Sequence, residues 1–150
     1  MKVLTDTSVL VSALLPSHAF HSQSVPWLAR AKQRAFDWVV SAHSLAELFA
    51  VLTRMPSKPK LSPAASWTLI DQNIIPFATI ESLTGRDYQD VVHALAQQGL
   101  AGGIVFDALI ARVAEIAQVD NLVTLNETHF LRVWPAGGSR IVSPRLLSPP

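Results

Sequence analysis

The sequence predicts an α/β fold in which a parallel sheet is wrapped by helices. Short β-rich runs alternate with longer helical patterns along the whole chain. The runs are apolar throughout rather than alternately polar, as strands covered on both faces must be. A length of 150 residues, 49% of them hydrophobic and 15% charged, gives one domain with its own core and excludes a disordered chain.

Val3-Leu4-Thr5 forms the first strand and hands over at Asp6 to a helix that Pro16 stops after Leu15. Ser24 to Gln33 is a second helix, with Pro26 in the first turn, where its missing N–H has no partner to lose. Trp38-Val39-Val40 is a continuous apolar strand. From His43 to Met55, Leu45, Leu48, Phe49 and Leu52 recur at helical spacing. A loop over 56–60 follows, and Ser62-Pro63 opens the next helix as N-cap and N1 proline. Pro76 to Ile80 is a strand. Thr84 caps a helix ending near Gly99, Leu100 to Gly103 is a loop, and Phe106 to Gln118 is an amphipathic helix. Leu122-Val123-Thr124 is a strand, Glu127 to Leu131 a turn or two of helix, and Arg140-Ile141-Val142 the last strand. There is no internal repeat, and the Pro-rich tail 144–150 is expected to be loosely held.

The absence of Cys removes disulfides, thiolate metal sites and thiol catalysis, so any metal must bind through oxygen or imidazole. Twelve Lys and Arg against eleven Asp and Glu leave a net charge of +1, which permits a nucleic-acid substrate without arguing for one. The apolar N-terminus is broken by Asp6, Ser8 and Ser12 and lacks a small-residue cleavage site, so it does not read as a signal peptide. No run approaches the ~20 apolar residues of a membrane span. A soluble, cytoplasmic protein is expected.

In parallel sheets of this kind, function sits beyond the carboxyl ends of the strands, where strand order switches. Asp6 follows the first strand directly and suits a helix cap as well as a site. Glu47 is the single charge in Leu45-Ala46-Glu47-Leu48-Phe49-Ala50-Val51-Leu52, with His43 and Ser44 a turn away; an ordinary boundary glutamate would look the same. Asp107 heads a stripe of Ile110, Ala111 and Ala114, and a charge aimed at an apolar stripe is costly unless it is paired or bound to a metal. After the strand at 122–124, Asn126, Glu127 and His129 cluster, with Asn126 placed to cap the short helix. Three acids from distant sequence, each at or just past a strand end, mean more together than singly. Carboxylates forced together repel, and one takes up a proton unless a cation shares the site. Hard oxygen donors, few and with room for water, suit Mg²⁺ or Mn²⁺. Such a site activates water and stabilises charge on a phosphodiester.

Taken together, Val3-Leu4-Thr5-Asp6-Thr7-Ser8, Ser44-Leu45-Ala46-Glu47, Phe106-Asp107-Ala108-Leu109-Ile110-Ala111 and the segment from Leu122 to Phe130 resemble the PIN-domain nucleases, and among them the VapC-type toxins of bacterial toxin–antitoxin pairs. The likeness runs in order from Val3 to Val142, and the loop Gly99 to Gly103 ahead of Asp107 fits the toxin branch. It implies a three-layer α/β/α sandwich and a Mg²⁺- or Mn²⁺-dependent endoribonuclease. Asp6, Glu47 and Asp107 match the family's principal acids, catalytic and metal-holding. Thr7 and Ser8 match hydroxyl positions that brace the first acid, and Thr124 matches a support after the fourth strand. The departure lies at the fourth acid: where many members carry Asp after Thr124, this chain has Asn126 and His129. Asn126 can still offer a carbonyl oxygen to the ion, directly or through water.

The resemblance also implies an RNA substrate, a cognate antitoxin and a homodimer as partners. Arg30, Lys32 and Arg34, with Arg54, Lys58 and Lys60, are small basic groups that could meet phosphate, although most such clusters are solvated helix faces. Arg112 could do the same or pair with Glu115 at i+3. The four Trp and six Phe read mostly as core, and the apolar early helices leave room for a partner groove. A receiver-type phosphoacceptor fails for want of a lysine beyond Lys60, and a dehalogenase-type phosphatase fails because Ser8 stands where its second Asp is needed. The alternative from another class is a PIN-like scaffold that binds RNA or protein without cutting.

Overall fold

Five short strands, β1 (Lys2–Thr5), β2 (Asp37–Ser41), β3 (Thr79–Glu81), β4 (Asn121–Val123) and β5 (Ile141–Val142), form one sheet in the order β3-β2-β1-β4-β5 in a computed structural model that describes residues 1–56, 60–145 and 149–150. Every neighbouring pair is parallel. Side chains of a strand face opposite sides in turn, and this sheet uses the alternation to build two cores. Val3, Trp38, Val40 and Val123 join one core with α1 (Thr7–Leu14), α2 (His21–Lys32), α3 (Ala42–Arg54) and α4 (Pro63–Asn73). Leu4, Val39 and Leu122 join the other with α6 (Ile104–Ile116) and α7 (Glu127–Val133). Burial on both faces is why these strands read as apolar runs, and it makes the α/β/α sandwich that the motifs imply.

The strand order reverses at β1. The chain steps outward from β1 to β2 and β3, then returns to the far side of β1 for β4 and β5. That places the carboxyl ends of β1 and β4 side by side at the switch point, where such sheets form clefts. The register sets Thr5 beside Val123, and the Asp6 amide donates to the Val123 carbonyl at 2.9 Å.

The helix α5 (Gly85–Gln97) packs outside α6. Its start is a reciprocal cap: the Thr84 hydroxyl accepts from the Asp87 amide, and the Asp87 carboxylate accepts from the Thr84 amide. Arg112 on α6 reaches the same carboxylate, with Nη2 at 3.1 Å, so one acid caps α5 and ties it to its neighbour. Bonds from Thr84 foremost, then Arg112, hold the Asp87 carboxyl below the usual range. Thr84→Ala is expected to lower stability by ~1 kcal/mol, read as a shift in urea midpoint without a change in slope.

Several boundaries differ from the sequence expectation: α6 runs from Ile104 to Ile116, β4 ends before Thr124, α7 runs on to Val133, and Arg140 ends a 3₁₀ helix and is not strand. Three of the differences have a local cause. The second helix begins at His21 rather than Ser24, which puts Pro26 inside it instead of in its first turn. Contacts with α1 decide this: His21 Nδ1 lies 2.8 Å from the Ser12 carbonyl, Ser12 Oγ donates to Ser24 Oγ, and Trp27 is fully buried. Residues 76–78 are not strand, because the Phe77 and Ala78 amides both turn back to the Ile74 carbonyl; β3 starts at Thr79. A 3₁₀ helix, Pro135–Arg140, precedes β5, and Gly137 lies so close to the Trp134 indole that no side chain fits there. At the tail, Pro144 is buried and Arg145 bonds the Leu125 carbonyl and the Glu127 carboxylate. The rest of the tail expectation falls partly on 146–148, which lie outside the described residues, as does Lys58. Among the described residues, no helix is long and apolar enough to cross a membrane.

Candidate active site

The switch point gathers side chains from four elements. Asp6, between β1 and α1, is 2% exposed. Two hydroxyls hold it: Ser8 Oγ donates to Asp6 Oδ2 at 2.6 Å and Thr124 Oγ1 donates to the same oxygen at 2.8 Å. Each hydroxyl is oriented in turn by a backbone amide, Leu125 N–H donating to Ser8 and Asn126 N–H to Thr124. With those lone pairs occupied, both hydroxyl protons are directed at the carboxylate. Trp38 Nε1 donates to Thr5 Oγ1 at 2.9 Å and steadies the residue before it. Both side-chain bonds fall on Oδ2, so Oδ1 accepts none among the described residues.

Burial nevertheless pushes the Asp6 carboxyl up to about 6, against the two hydroxyl bonds, and the nearby negative charges of Asp107 and Glu47 push in the same direction. Of the three acids only Asp6 directly follows a strand, contrary to the expectation: Glu47 lies within α3, and Asp107 lies in the first turn of α6, which follows α5 and a loop. The Asp107 carboxyl is also raised, chiefly by burial, and His129 offsets part of that from 3.1 Å. Glu47, on α3, is held by Thr7, whose Oγ1 donates to Glu47 Oε2 at 2.8 Å. The structure thus corrects one assignment that the resemblance implies: Ser8 braces the first acid, but Thr7 braces the second.

Glu47, Asp107, Asn126 and His129 line an open cleft of about 530 Å³, together with residues of the loop 99–103 and the start of α6. Gly99 and Gly102 in that loop have φ of +65° and +77°, a backbone that favours glycine and lets the loop turn into α6. Asn126 sits at the N-cap of α7, but its side chain makes no capping bond, so its amide is not committed to the helix. Among the described residues, no three His, Cys, Asp or Glu side chains are grouped closely enough to hold a metal ion by themselves. An open ion that keeps several waters and meets one or two carboxylates is what Mg²⁺ prefers, and a buried acid with a bare oxygen beside two further carboxylates fits that need.

A family model for the PIN domain matches residues 3–133. Ribonuclease VapC27 of Mycobacterium tuberculosis is 34% identical over 109 residues, which cover 73% of this chain and 74% of that protein. The chain belongs to the PIN-domain family. Two solved structures share its fold. The crystal structure of VapC20 from Mycobacterium tuberculosis, described as a sarcin-ricin loop cleaving toxin, has a TM-score of 0.63 at 16% identity and covers 80% of this chain and 86% of that one. VapBC2 from Rickettsia felis, bound to a DNA fragment from its promoter, has a TM-score of 0.63 at 21% identity, covering 95% and 98%.

Other expected contacts of this PIN domain fall elsewhere. Arg30, Lys32 and Arg34 lie at the end of α2 and just beyond it, ahead of β2, and so at the opposite edge of the sheet from the acids. They are engaged there by the Pro150 carbonyl, the Asn73 side chain and the Pro76 carbonyl respectively. Arg112 is taken by Asp87 and Glu115, which hold its guanidinium above its ordinary range. None of the four lines the acid cleft. Among the described residues, the Lys or Arg that does is Arg132, one turn beyond His129 on α7. Sequence reasoning also misses His43 and Phe106. The His43 ring stacks on Phe106 at 4.9 Å with an interplanar angle of 15°, and Phe106 is 44% exposed rather than core. Their sequence signal is proximity alone: His43 precedes Glu47 by one turn, and Phe106 precedes Asp107.

Proposed function

We propose that this PIN domain is a metal-dependent endoribonuclease, the toxin of a toxin–antitoxin pair. The observation that carries the reading is that Asp6, Glu47 and Asp107 lie near enough to interact: burial, then the charges of Asp107 and Glu47, raise the Asp6 carboxyl, and burial, then the charge of Glu47, raise that of Asp107. A site that strains against its own negative charge is relieved by a cation. The names of the relatives, a VapC ribonuclease and a VapBC pair, support the RNA substrate and the antitoxin. A homodimer belongs to the same proposal.

In this reading Asp6, Glu47 and Asp107 hold the ion, and Asn126 adds a neutral oxygen. A bound Mg²⁺ or Mn²⁺ would lower the pKa of a water and neutralise charge on the phosphodiester. The protein's part is orientation. Ser8 and Thr124 fix the Asp6 carboxylate, Thr7 fixes Glu47, and His129 fixes Asp107. His129, 55% exposed, also stands where it can donate to a phosphate oxygen. Water attacking in line leaves a 5′-phosphate and a 3′-hydroxyl, and no step uses the neighbouring 2′-hydroxyl.

Cleavage of total cellular RNA, mapped by end chemistry, tests this. Cutting is expected with Mg²⁺ and not in EDTA, with 5′-phosphate ends, and it should survive replacement of the 2′-hydroxyl at the mapped bond by hydrogen. Cyclic-phosphate ends formed equally in EDTA would overturn the mechanism. RNA binding without cleavage under any divalent ion would favour the binding-module alternative.

A further inference from the structure

We propose that the outer face of Phe106 is a stacking platform that positions the nucleobase beside the scissile bond. The proposal rests on the nuclease reading above and adds to it a residue that positions the RNA. Phe106 lines the same cleft as Glu47 and Asp107 and is the chain neighbour of Asp107. A single exposed phenylalanine needs no explanation in itself, but this one is not loose. Its ring is backed by the nearly parallel His43 ring from α3, at 4.9 Å. No polar bond sets that arrangement, because His43 Nε2 is buried without a hydrogen-bond partner and lies 3.9 Å from Glu47 Oε2. The stack itself holds the two rings, and it leaves Phe106, one of the residues lining the cleft, 44% exposed.

A flat, rigid aromatic surface matches one feature of nucleic acid: the face of a base. In A-form RNA those faces are covered by neighbouring bases, and the grooves offer edges, 2′-hydroxyls and phosphates instead. Only an unpaired, unstacked base can lie on Phe106. Stacking of this kind tolerates any base, since each has a π-face. Arg132 supplies the second contact that a nucleotide needs. It is exposed, lines the same cleft and has no ion pair among the described residues, so it is available to a phosphate flanking the stacked base.

The test measures binding, separately from cleavage. In a Glu47→Gln background with Mg²⁺ present, fluorescence anisotropy compares Phe106, Phe106→Leu and Phe106→Trp on three labelled probes. These are a short single-stranded RNA of mixed sequence, an abasic ribose-phosphate strand of the same length, and a fully paired RNA duplex. Phe106→Leu is expected to weaken binding of the single-stranded RNA about tenfold. It should leave the abasic strand and the duplex unchanged, and Phe106→Trp should bind the RNA at least as tightly as the parent. Equal losses on RNA and abasic strand, or no loss on either, overturn the platform. A duplex bound more tightly than the single strand and weakened by Phe106→Leu overturns it as well. Failure of the nuclease reading shows differently, as intact RNA with the wild-type protein while the difference between base-bearing and abasic strands persists.

Discussion

Asp107→Asn and Glu47→Gln are each expected to lower metal-dependent RNA cleavage by at least about a hundredfold, with the fold retained. Substitutions that merely disturb the partners of metal ligands already cost about 10–100-fold, and these remove the ligating charge itself. The amides keep the shape of the acids: Glu47→Gln retains an oxygen for the Thr7 hydroxyl, and Asp107→Asn retains one within reach of His129. Both side chains are partly solvated, at 33% and 15% exposure, so neutralising them leaves no unpaired charge buried. Initial rates on the mapped RNA in Mg²⁺ give the loss, and thermal melting in EDTA verifies the fold. Near-full activity of Asp107→Asn would remove the acid cluster from the chemistry.

Asp6→Asn separates charge from structure more sharply, because it is expected to abolish cleavage and at the same time stabilise the metal-free protein. The Asp6 carboxyl moves from 3.8 to about 6 on folding, so keeping it ionised at pH 7 weighs against the folded state by about 3 kcal/mol. The sign follows from proton binding. Between about pH 4 and 6 the folded chain holds a proton on Asp6 that the unfolded chain has lost, so wild-type stability falls as pH rises through this window and is level above it, as far as Asp6 is concerned. Asparagine has no such penalty, although it meets Ser8 and Thr124 with one acceptor oxygen in place of a charge, which offsets part of the gain. Urea unfolding in EDTA should give a variant more stable than wild type by about 2 kcal/mol at pH 7, the difference closing as pH drops to about 4. A variant less stable by a constant amount across that range would mean that Asp6 is a structural cap.

How much of this site was legible in the sequence depended on which links were local. Asp6, Thr124 and Asn126 stand at the ends of apolar runs, and a run followed by a polar residue marks the carboxyl edge of a parallel sheet without reference to anything distant. Asp107 announced itself as a charge at the head of an apolar stripe. The candidate acids Asp6 and Asp107 and the two-sided burial of the strands were therefore written in spacing and residue type. Pairing across the fold was not. Thr7 and Glu47 are 40 residues apart, His43 and Phe106 come from different helices, and Arg112 has two acids in reach, so only packing could settle which hydroxyl holds which acid and which aromatic rings meet. The basic residues illustrate the same limit. Arg30, Lys32 and Arg34 form the denser cluster in the chain, yet they fall at the opposite edge of the sheet, while the isolated Arg132 reaches the cleft. Charge density along a sequence does not say to which end of a sheet a helix delivers it. What the sequence determined by itself was the buried parallel strands and the candidate polar residues around them, because those follow from periodicity and solvation. The tertiary structure alone decided the partners of each side chain and the face offered to a ligand, because these depend on strand order and helix packing between segments that share no local signal.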